Sequence, residues 1–445
     1  MKKKIVIIGA GPTGLGAAYR LHELGHADFA VLERRPYLGG LCASFRDQNG
    51  FTWDLGGHVI FSRFPYFDRL MNKVLKNGFR DIRREAWVRV EGCWVPYPFQ
   101  KNLDHLPEAI RRECLDGLKA SEALEKKNDN FEHWILTHMG NGIARHFMFP
   151  YNAKVWAHPL DQMSTSWLTD RVSSAQDAAA SAGGKPRPGR TGWGPNGRFR
   201  YPVAGGVREI FNKIGELFPE KILTNAEAVR VDPWEKKVFL SGGRVLAYEA
   251  LINTSPLDHF VATLDDVREE WLTASRELKH NSVLVVGIGV RKPCPDKKCW
   301  MYFPGGDCPF YRVTYLANYS PNNVPDEQHH SLLCEVSYSE HKRENKEDVV
   351  ERTIQGLVRA GLLEKDDVRL IVSRFLFDIG HAYPIPTLTR DAALEQILPA
   401  LEKLDIFSRG RFGAWKYEVG NVDHSIIQGK EAVDRILGVG GESLL

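Results

Sequence analysis

Residues 4–14 read KIVIIGAGPTG, and residues 15–25 continue LGAAYRLHELG. The β-branched run at 4–8 stops at Gly9, Gly11 and Gly14, and the apolar residues after it recur at helical spacing. The stretch therefore predicts strand, tight turn and helix. The glycines let the chain turn, let the backbone approach a pyrophosphate and let the helix pack on the strand, while the helix N-terminus favours negative charge. FAVLERR at 29–35 predicts a second strand ending in Glu33, where such folds need a carboxylate for ribose hydroxyls. An acid there points to an unphosphorylated ribose, which NAD and FAD both satisfy. Strand, turn, helix, strand and acid agree on an α/β, Rossmann-like dinucleotide-binding domain.

At 445 residues and 43% apolar content, the chain is long enough for two or three domains. Lys and Arg number 59 against 56 Asp and Glu, and this balance gives no reason to expect nucleic acid or an anionic membrane as partner. The apolar run behind the basic start MKKK is four residues long, too short for a signal segment or membrane insertion. Seven scattered cysteines (Cys42, Cys93, Cys114, Cys294, Cys299, Cys308, Cys334) predict reduced thiols and a cytoplasmic location. Cys294, Cys299 and Cys308 are close in sequence but lack a CxxC pair or a nearby histidine, so no metal is expected.

Gly39 and Gly40 follow Glu33 directly, a feature of flavoproteins rather than dehydrogenases. In this respect the chain resembles the glutathione-reductase-like flavoprotein superfamily. DLGGHVIF at 54–61 then falls where a later turn would pass the isoalloxazine ring, although Gly56, Gly57 and His58 also suit a plain hairpin. Residues 103–148 carry several helical stretches, and Phe147, Tyr151, Asn152 and Trp156 cluster at their end, as core or as stacking faces for a base. Residues 173–206 are rich in Gly, Pro and small residues, with five basic side chains and no acid between Lys185 and Arg200. A mobile flap over a phosphorylated ligand, held by Trp193 and Asn196, accounts for that composition better than a linker. RVDPWEKKVFLSGG at 230–243 predicts a hairpin. Later runs predict antiparallel strands, and within FYRVTYLANYS the period of two puts Arg312 and Thr314 on one face and Tyr311, Tyr315 and Tyr319 on the other. Arg312, Arg409 and Arg411 suit a diphosphate, Tyr383 and Tyr417 can add neutral hydrogen bonds, and GNVDHSIIQG, with Asn421, offers helix N–H groups to the flavin, although scattered surface arginines and core tyrosines explain the same composition.

Taken together, GGHVIF, WVPYPFQ, PYNAKVWA, GWGPNGRFRYP, KCWMYFP, CPFYR, NYSP, YPIPTL and RGRFGAWKYEVGN resemble the eukaryotic-type UDP-galactopyranose mutases, in order and across nearly the whole chain. The resemblance implies a Rossmann-like FAD domain (1–90, 203–262 and 410–445), a helical domain with mobile flap loops (103–200) and an antiparallel-sheet substrate domain (91–102 and 263–409). Gly9, Gly11, Gly14, Glu33, Gly39, Gly40, Gly56, Gly57, His58, Arg411, Gly420 and Asn421 would hold FAD. Tyr97, Phe99, Gln100, Phe147, Tyr151, Asn152 and Trp156 would hold uridine, with Trp300 beside them. Arg312, Tyr302, Tyr319, Tyr383 and Tyr417 would clamp the diphosphate, while Arg171, Asn196 and Arg411 would face sugar and flavin. The implied reaction is an isomerisation: interconversion of UDP-galactopyranose and UDP-galactofuranose through an adduct of reduced FAD N5 with the anomeric carbon, without net redox change. NADPH or NADH is a candidate reductant, and homo-oligomerisation and the identity of the hexose stay open. Arg63 and Val422 depart from the family's usual histidine and glutamine. An amine-oxidase- or protoporphyrinogen-oxidase-like enzyme and a non-catalytic nucleotide-sugar binder are the rival readings.

Overall fold

The computed structural model describes residues 3–168 and 197–444. Arg171, Trp193, Asn196 and the expected flap lie outside the described residues. Ile5–Ile8 is the centre of a five-stranded parallel sheet, with Ala250–Asn253 and Ile406–Ser408 on one side and Phe29–Leu32 and Ile222–Leu223 on the other. All four residues of the central strand are buried. A parallel strand covered on both faces must be apolar throughout, which is why this run does not alternate. The helix Pro12–Glu23 begins with its proline in the first turn, where a missing N–H costs nothing. It packs along the last helix, Val422–Leu437, through Leu15, Ala18, Ile426 and Val433.

A second sheet has seven strands in the order Ile371–Pro384, His280–Val290, His330–Tyr338, Arg312–Tyr315, Trp300–Tyr302, Ala86–Val90 and Cys93–Pro96. Its neighbours run antiparallel except Trp300–Tyr302 against Ala86–Val90. Helices Glu108–Glu122, Phe131–Ile143 and Phe149–Trp156 form the block between residues 103 and 168.

Four details differ from the sequence-based expectations. Ile406–Ser408 belongs to the parallel sheet, so residue 410 is too late a boundary; Leu394, Ile397 and Leu401 of the preceding helix share an apolar cluster with Leu251 and Leu257. Ala86–Val90 leaves the 1–90 segment to pair with Trp300–Tyr302. The strand within FYRVTYLANYS ends at Tyr315, and Leu316–Tyr319 is a helical turn, so the period of two stops short of Tyr319. The expected hairpin at 230–243 gains a third strand, Val245–Ala247, outside Lys237–Leu240.

Candidate active site

A cavity of about 980 Å³ runs from the ends of the parallel strands to the face of the second sheet. This is the upper end of the range for small-molecule sites. Gly9, Gly11, Glu33 and Gly40 line one end; His58, Trp300, Tyr302, Arg312, Tyr383, Arg411, Tyr417 and Asn421 line the other. Segments far apart in sequence thus share one wall because the parallel sheet and the antiparallel sheet abut there.

At the dinucleotide end, Gly9 has a φ of +99°, and a Cβ there would lie 2.3 Å from Thr254 Oγ1. The second glycine pair is tied to the first turn by the Gly39 N–H, which donates to Ala10 O at 2.9 Å. Glu33 accepts from the Ala10 and Arg35 backbone N–H groups, each at 2.9 Å. A carboxylate has room for about four hydrogen bonds, which leaves acceptor capacity toward the cavity.

DLGGHVIF begins with a buried anchor. Asp54 accepts from Ser44 Oγ (2.6 Å), Tyr201 Oη (2.7 Å) and the Val207 N–H (3.2 Å), while burial pushes its pKa up to about 6. The chain then turns through Gly56, whose φ is +114°, and delivers Gly57 and His58 to the cavity. His58 Nδ1 lies 3.2 Å from Gly56 O. A carbonyl only accepts, so Nδ1 carries the proton and Nε2 is left as an acceptor. Burial, then the charges of Arg411 and Arg312, lower the His58 pKa from 6.5 to about 4, against the pull of Glu335. The ring is neutral at physiological pH.

That shift has a signed consequence. As pH falls, the unfolded chain takes up the proton at His58 before the folded chain does. The stabilisation is intact above about pH 6.5 and is lost between there and about pH 4, by up to roughly 3 kcal/mol. Urea unfolding of the wild type and His58→Gln across this window should show the gap between them shrinking as pH falls. A gap independent of pH would refute the neutral histidine.

The sequence reading overlooked the residue that organises this end. Glu335, 2% exposed, stands directly across the strand pair from Arg312. It accepts from Arg312 Nε and Nη2 at 2.7 Å each, from Tyr311 Oη at 2.6 Å and from the Gly57 N–H at 2.9 Å. Burial opposes its ionisation, but Arg312, Tyr311 and Gly57 more than reverse this and hold the carboxyl below its ordinary range. Among the described residues Arg312 commits two of its five N–H donors to Glu335, and the residue lines the cavity. The signal was present as a single carboxylate in the apolar run SLLCEVSYS, since a buried acid needs a partner.

Arg84 was also missed. It lines the cavity with its guanidinium 4.6 Å from the Trp300 ring centre, and burial lowers its pKa to about 10. Arg411 lies over Tyr383, 5.1 Å from the ring centre, and its buried Nε has no hydrogen-bond partner among the described residues. Thr314 Oγ1 and Tyr319 Oη are likewise buried without partners there. Of these three residues Arg411 alone lines the cavity, and its unsatisfied Nε suits a polar ligand.

The residues expected around uridine are not on the cavity wall. Phe99, Gln100, Phe147, Asn152 and Trp156 are buried. Phe99 stacks on Phe147 (4.8 Å), Phe147 on Tyr151 (5.2 Å), and both Tyr97 (4.9 Å) and Tyr151 (5.2 Å) back Tyr302. Trp156 meets Tyr417 edge-on at 4.9 Å. Their contact with the cavity runs through Tyr302 and Tyr417. Gly14, Gly39, Gly56 and Tyr319 also stand behind the lining rather than in it.

Two other chemistries fit poorly. Burial pushes the cavity-lining Cys42 thiol up to about 12, so it is not a thiolate nucleophile. Asp258, His280 and His381 place potential ligand atoms within 4.8 Å of one another. However, His381 stacks on His280 with centroids 3.7 Å apart while its Nε2 bonds Asp258 at 3.0 Å. Imidazoles on one tetrahedral ion radiate from it, with ring centres about 5 Å apart. The group instead braces the segment bearing Arg411, through contacts of His381 with Phe412 (5.3 Å) and Trp415 (6.1 Å).

Comparison with known proteins decides the family. The model of the flavin-containing amine oxidoreductases matches residues 12–437. The crystal structure of a reduced UDP-galactopyranose mutase is 44% identical, with a TM-score of 0.94 over 99% of this chain and 96% of that one. The chain belongs to the UDP-galactopyranose mutase family. Putrescine oxidase (17% identical, TM-score 0.70, 98% and 99% covered) shares the mutase fold. So does cyclohexylamine oxidase of Brevibacterium oxydans (15%, 0.70, 98% and 99%). A zeta-carotene desaturase of Zea mays is 41% identical over 73 residues, which is 16% of this chain and 13% of the desaturase. The chain thus matches about an eighth of the length of that curated relative.

The mutase-family cavity fits FAD on its own geometry. Glu33 has acceptors for a ribose, the first turn at Gly11, Pro12 and Thr13 faces the cavity for a pyrophosphate, and Gly57 and His58 line the same cavity.

Proposed function

We propose that this chain interconverts UDP-galactopyranose and UDP-galactofuranose by ring contraction without net redox change, using reduced FAD. The observation that carries the proposal is one cavity joining a dinucleotide end at Glu33 to an end lined by Arg312, Arg411 and three tyrosines, in a chain so similar to a mutase. Reduced FAD, when bound, supplies a nucleophilic nitrogen for the anomeric carbon, chemistry that needs no nucleophilic side chain.

The protein's part is to position the sugar and to stabilise charge. The remaining donors of Arg312 are proposed to hold a diphosphate while Glu335 fixes the plane of the guanidinium. Tyr302, Tyr383 and Tyr417 add neutral hydrogen bonds around it. Arg411, over Tyr383 in the same lining, is proposed to face sugar and flavin, and Nε2 of neutral His58 accepts a hydrogen bond from a group beside it. Tyr97, Phe99, Gln100, Phe147, Tyr151, Asn152 and Trp156 are proposed to hold uridine by opening the stack behind Tyr302. Arg171 and Asn196 are proposed to reach the sugar. UDP-N-acetylgalactosamine and UDP-arabinopyranose suit the same chemistry.

NADPH or NADH is the proposed reductant. A cytoplasmic location is supported by seven unpaired cysteines, and no helix among the described residues is long and apolar enough to cross a membrane. Homo-oligomerisation is a further proposal.

Anaerobic incubation with UDP-galactofuranose, with FAD reduced or oxidised, tests the function by chromatography of UDP-galactopyranose. Conversion in the reduced sample alone is expected. No conversion with FAD bound and reduced would overturn this substrate pair, and turnover of an amine coupled to flavin reoxidation would favour the oxidase reading.

A further inference from the structure

We infer that Glu335 is a positioning residue that couples the Gly56–His58 loop to the diphosphate-binding pose of Arg312, so that a displacement of the loop changes nucleotide affinity. One carboxylate holds both: Oε1 accepts from the Gly57 N–H and from Arg312 Nε, while Oε2 accepts from Arg312 Nη2 and Tyr311 Oη. With four donors on two oxygens, the carboxylate is saturated. Gly57 cannot shift without dropping its bond to Oε1 or pulling the carboxylate with it. Since Nε and Nη2 of Arg312 both lie on that carboxylate, pulling it rotates the guanidinium plane and re-aims its remaining donors.

The loop is also closely hemmed in. A Cβ at Gly57 would lie 2.7 Å from Thr314 Oγ1, 3.5 Å from Arg312 Nε and 3.5 Å from Glu335 Oε1. Thr314 shares the Arg312 face of its strand. Gly57 thus faces Thr314, Arg312 and Glu335, and buried Glu335 is the shared hydrogen-bond partner of Gly57 and Arg312. Coupling of this kind is reciprocal: a diphosphate that favours one pose of Arg312 favours the loop position that goes with it.

The inference rests on the proposed UDP-sugar site, and a double-mutant cycle read by UDP binding separates the two. Isothermal titration of UDP into FAD-loaded protein would compare Gly57→Ala in the wild-type background and in Glu335→Gln. In the wild-type background the added methyl pushes the loop off Thr314, and UDP affinity should fall by about tenfold. In Glu335→Gln the amide nitrogen cannot accept from Arg312 Nη2, so the guanidinium plane is no longer held by the group that bonds Gly57, and the same change should alter affinity by less than about twofold. Equal fold-changes in the two backgrounds would overturn the coupling and leave Gly57 acting by direct contact.

Glu335→Asp is the second arm, usable if the glutamine variant does not fold. It keeps the charge, but the shorter side chain cannot span both Arg312 and Gly57, so the effect of Gly57→Ala should again shrink below about twofold. A full tenfold effect in that background would overturn the inference as well. Failure of wild-type, FAD-loaded protein to bind UDP would remove the site reading itself, whereas binding with additive variants removes the coupling alone.

Discussion

Replacing Arg312 with alanine should lower kcat/KM for the mutase reaction by roughly 10²–10³-fold, the loss typical of a donor aimed at developing charge. It should also destabilise the fold by about 3–5 kcal/mol, because the Glu335 carboxylate would stay buried without its counter-ion. Tyr311 and the Gly57 N–H would still bond to it, but neither carries charge. The two losses can be separated. In Arg312→Met with Glu335→Leu, both members of the buried pair become apolar, which is often neutral for stability, while the diphosphate donors remain absent. We expect the stability in urea to return in part, short by about 1–3 kcal/mol for each of the Tyr311 hydroxyl and the Gly57 N–H, which lose their acceptor, and the activity to stay lost. Arg312→Lys should not rescue activity either, since a point charge cannot grip the carboxylate and a diphosphate in two fixed planes. Activity of Arg312→Ala within tenfold of wild type would place the charge stabilisation elsewhere.

Gly14→Ala should yield protein with little or no bound FAD. A Cβ at residue 14 would lie 1.9 Å from Gly9 O and 3.0 Å from Gly9 C, so the first helix would have to lift off the first strand. These contacts are backbone atoms and cannot swing aside as a side chain can. The displacement would disturb the turn that brings Gly9 and Gly11 to the cavity, and overpacking of this kind costs about 3 kcal/mol or more. Gly306→Ala is the control, because an added Cβ there meets nothing within 4 Å. Visible flavin absorbance per protein, together with the unfolding midpoint, reads both variants. Stoichiometric FAD in Gly14→Ala would show that the helix can retreat without losing the pyrophosphate turn.

The cofactor half was legible because its information is local. Ile5–Ile8, Gly9, Gly11, Pro12 and Gly14 specify strand, turn and helix within ten residues, and Glu33 closes the motif one strand later. DLGGHVIF was legible in part. Its glycines announced a bend near something large, but not that Asp54 would be pinned by Tyr201 and Val207 from 147 and 153 residues away. Tyr319 was misplaced for a simpler reason. The strand pattern continues on paper past Tyr315, whereas the backbone turns into a helix at Leu316.

By itself, the sequence determined the α/β dinucleotide fold, the membership of its motifs in one family and the residue types gathered at the site. Tertiary structure alone decided which of those residues reach the cavity: Tyr302 and Tyr417 do, while Phe99, Phe147 and Trp156 stand behind them. It alone also revealed Glu335, whose partners lie on its neighbouring strand and on a loop 278 residues away. The physical reason is that propensity and periodicity act along the chain, whereas a buried charge is satisfied across it, by whichever strand and loop the fold brings within hydrogen-bond reach.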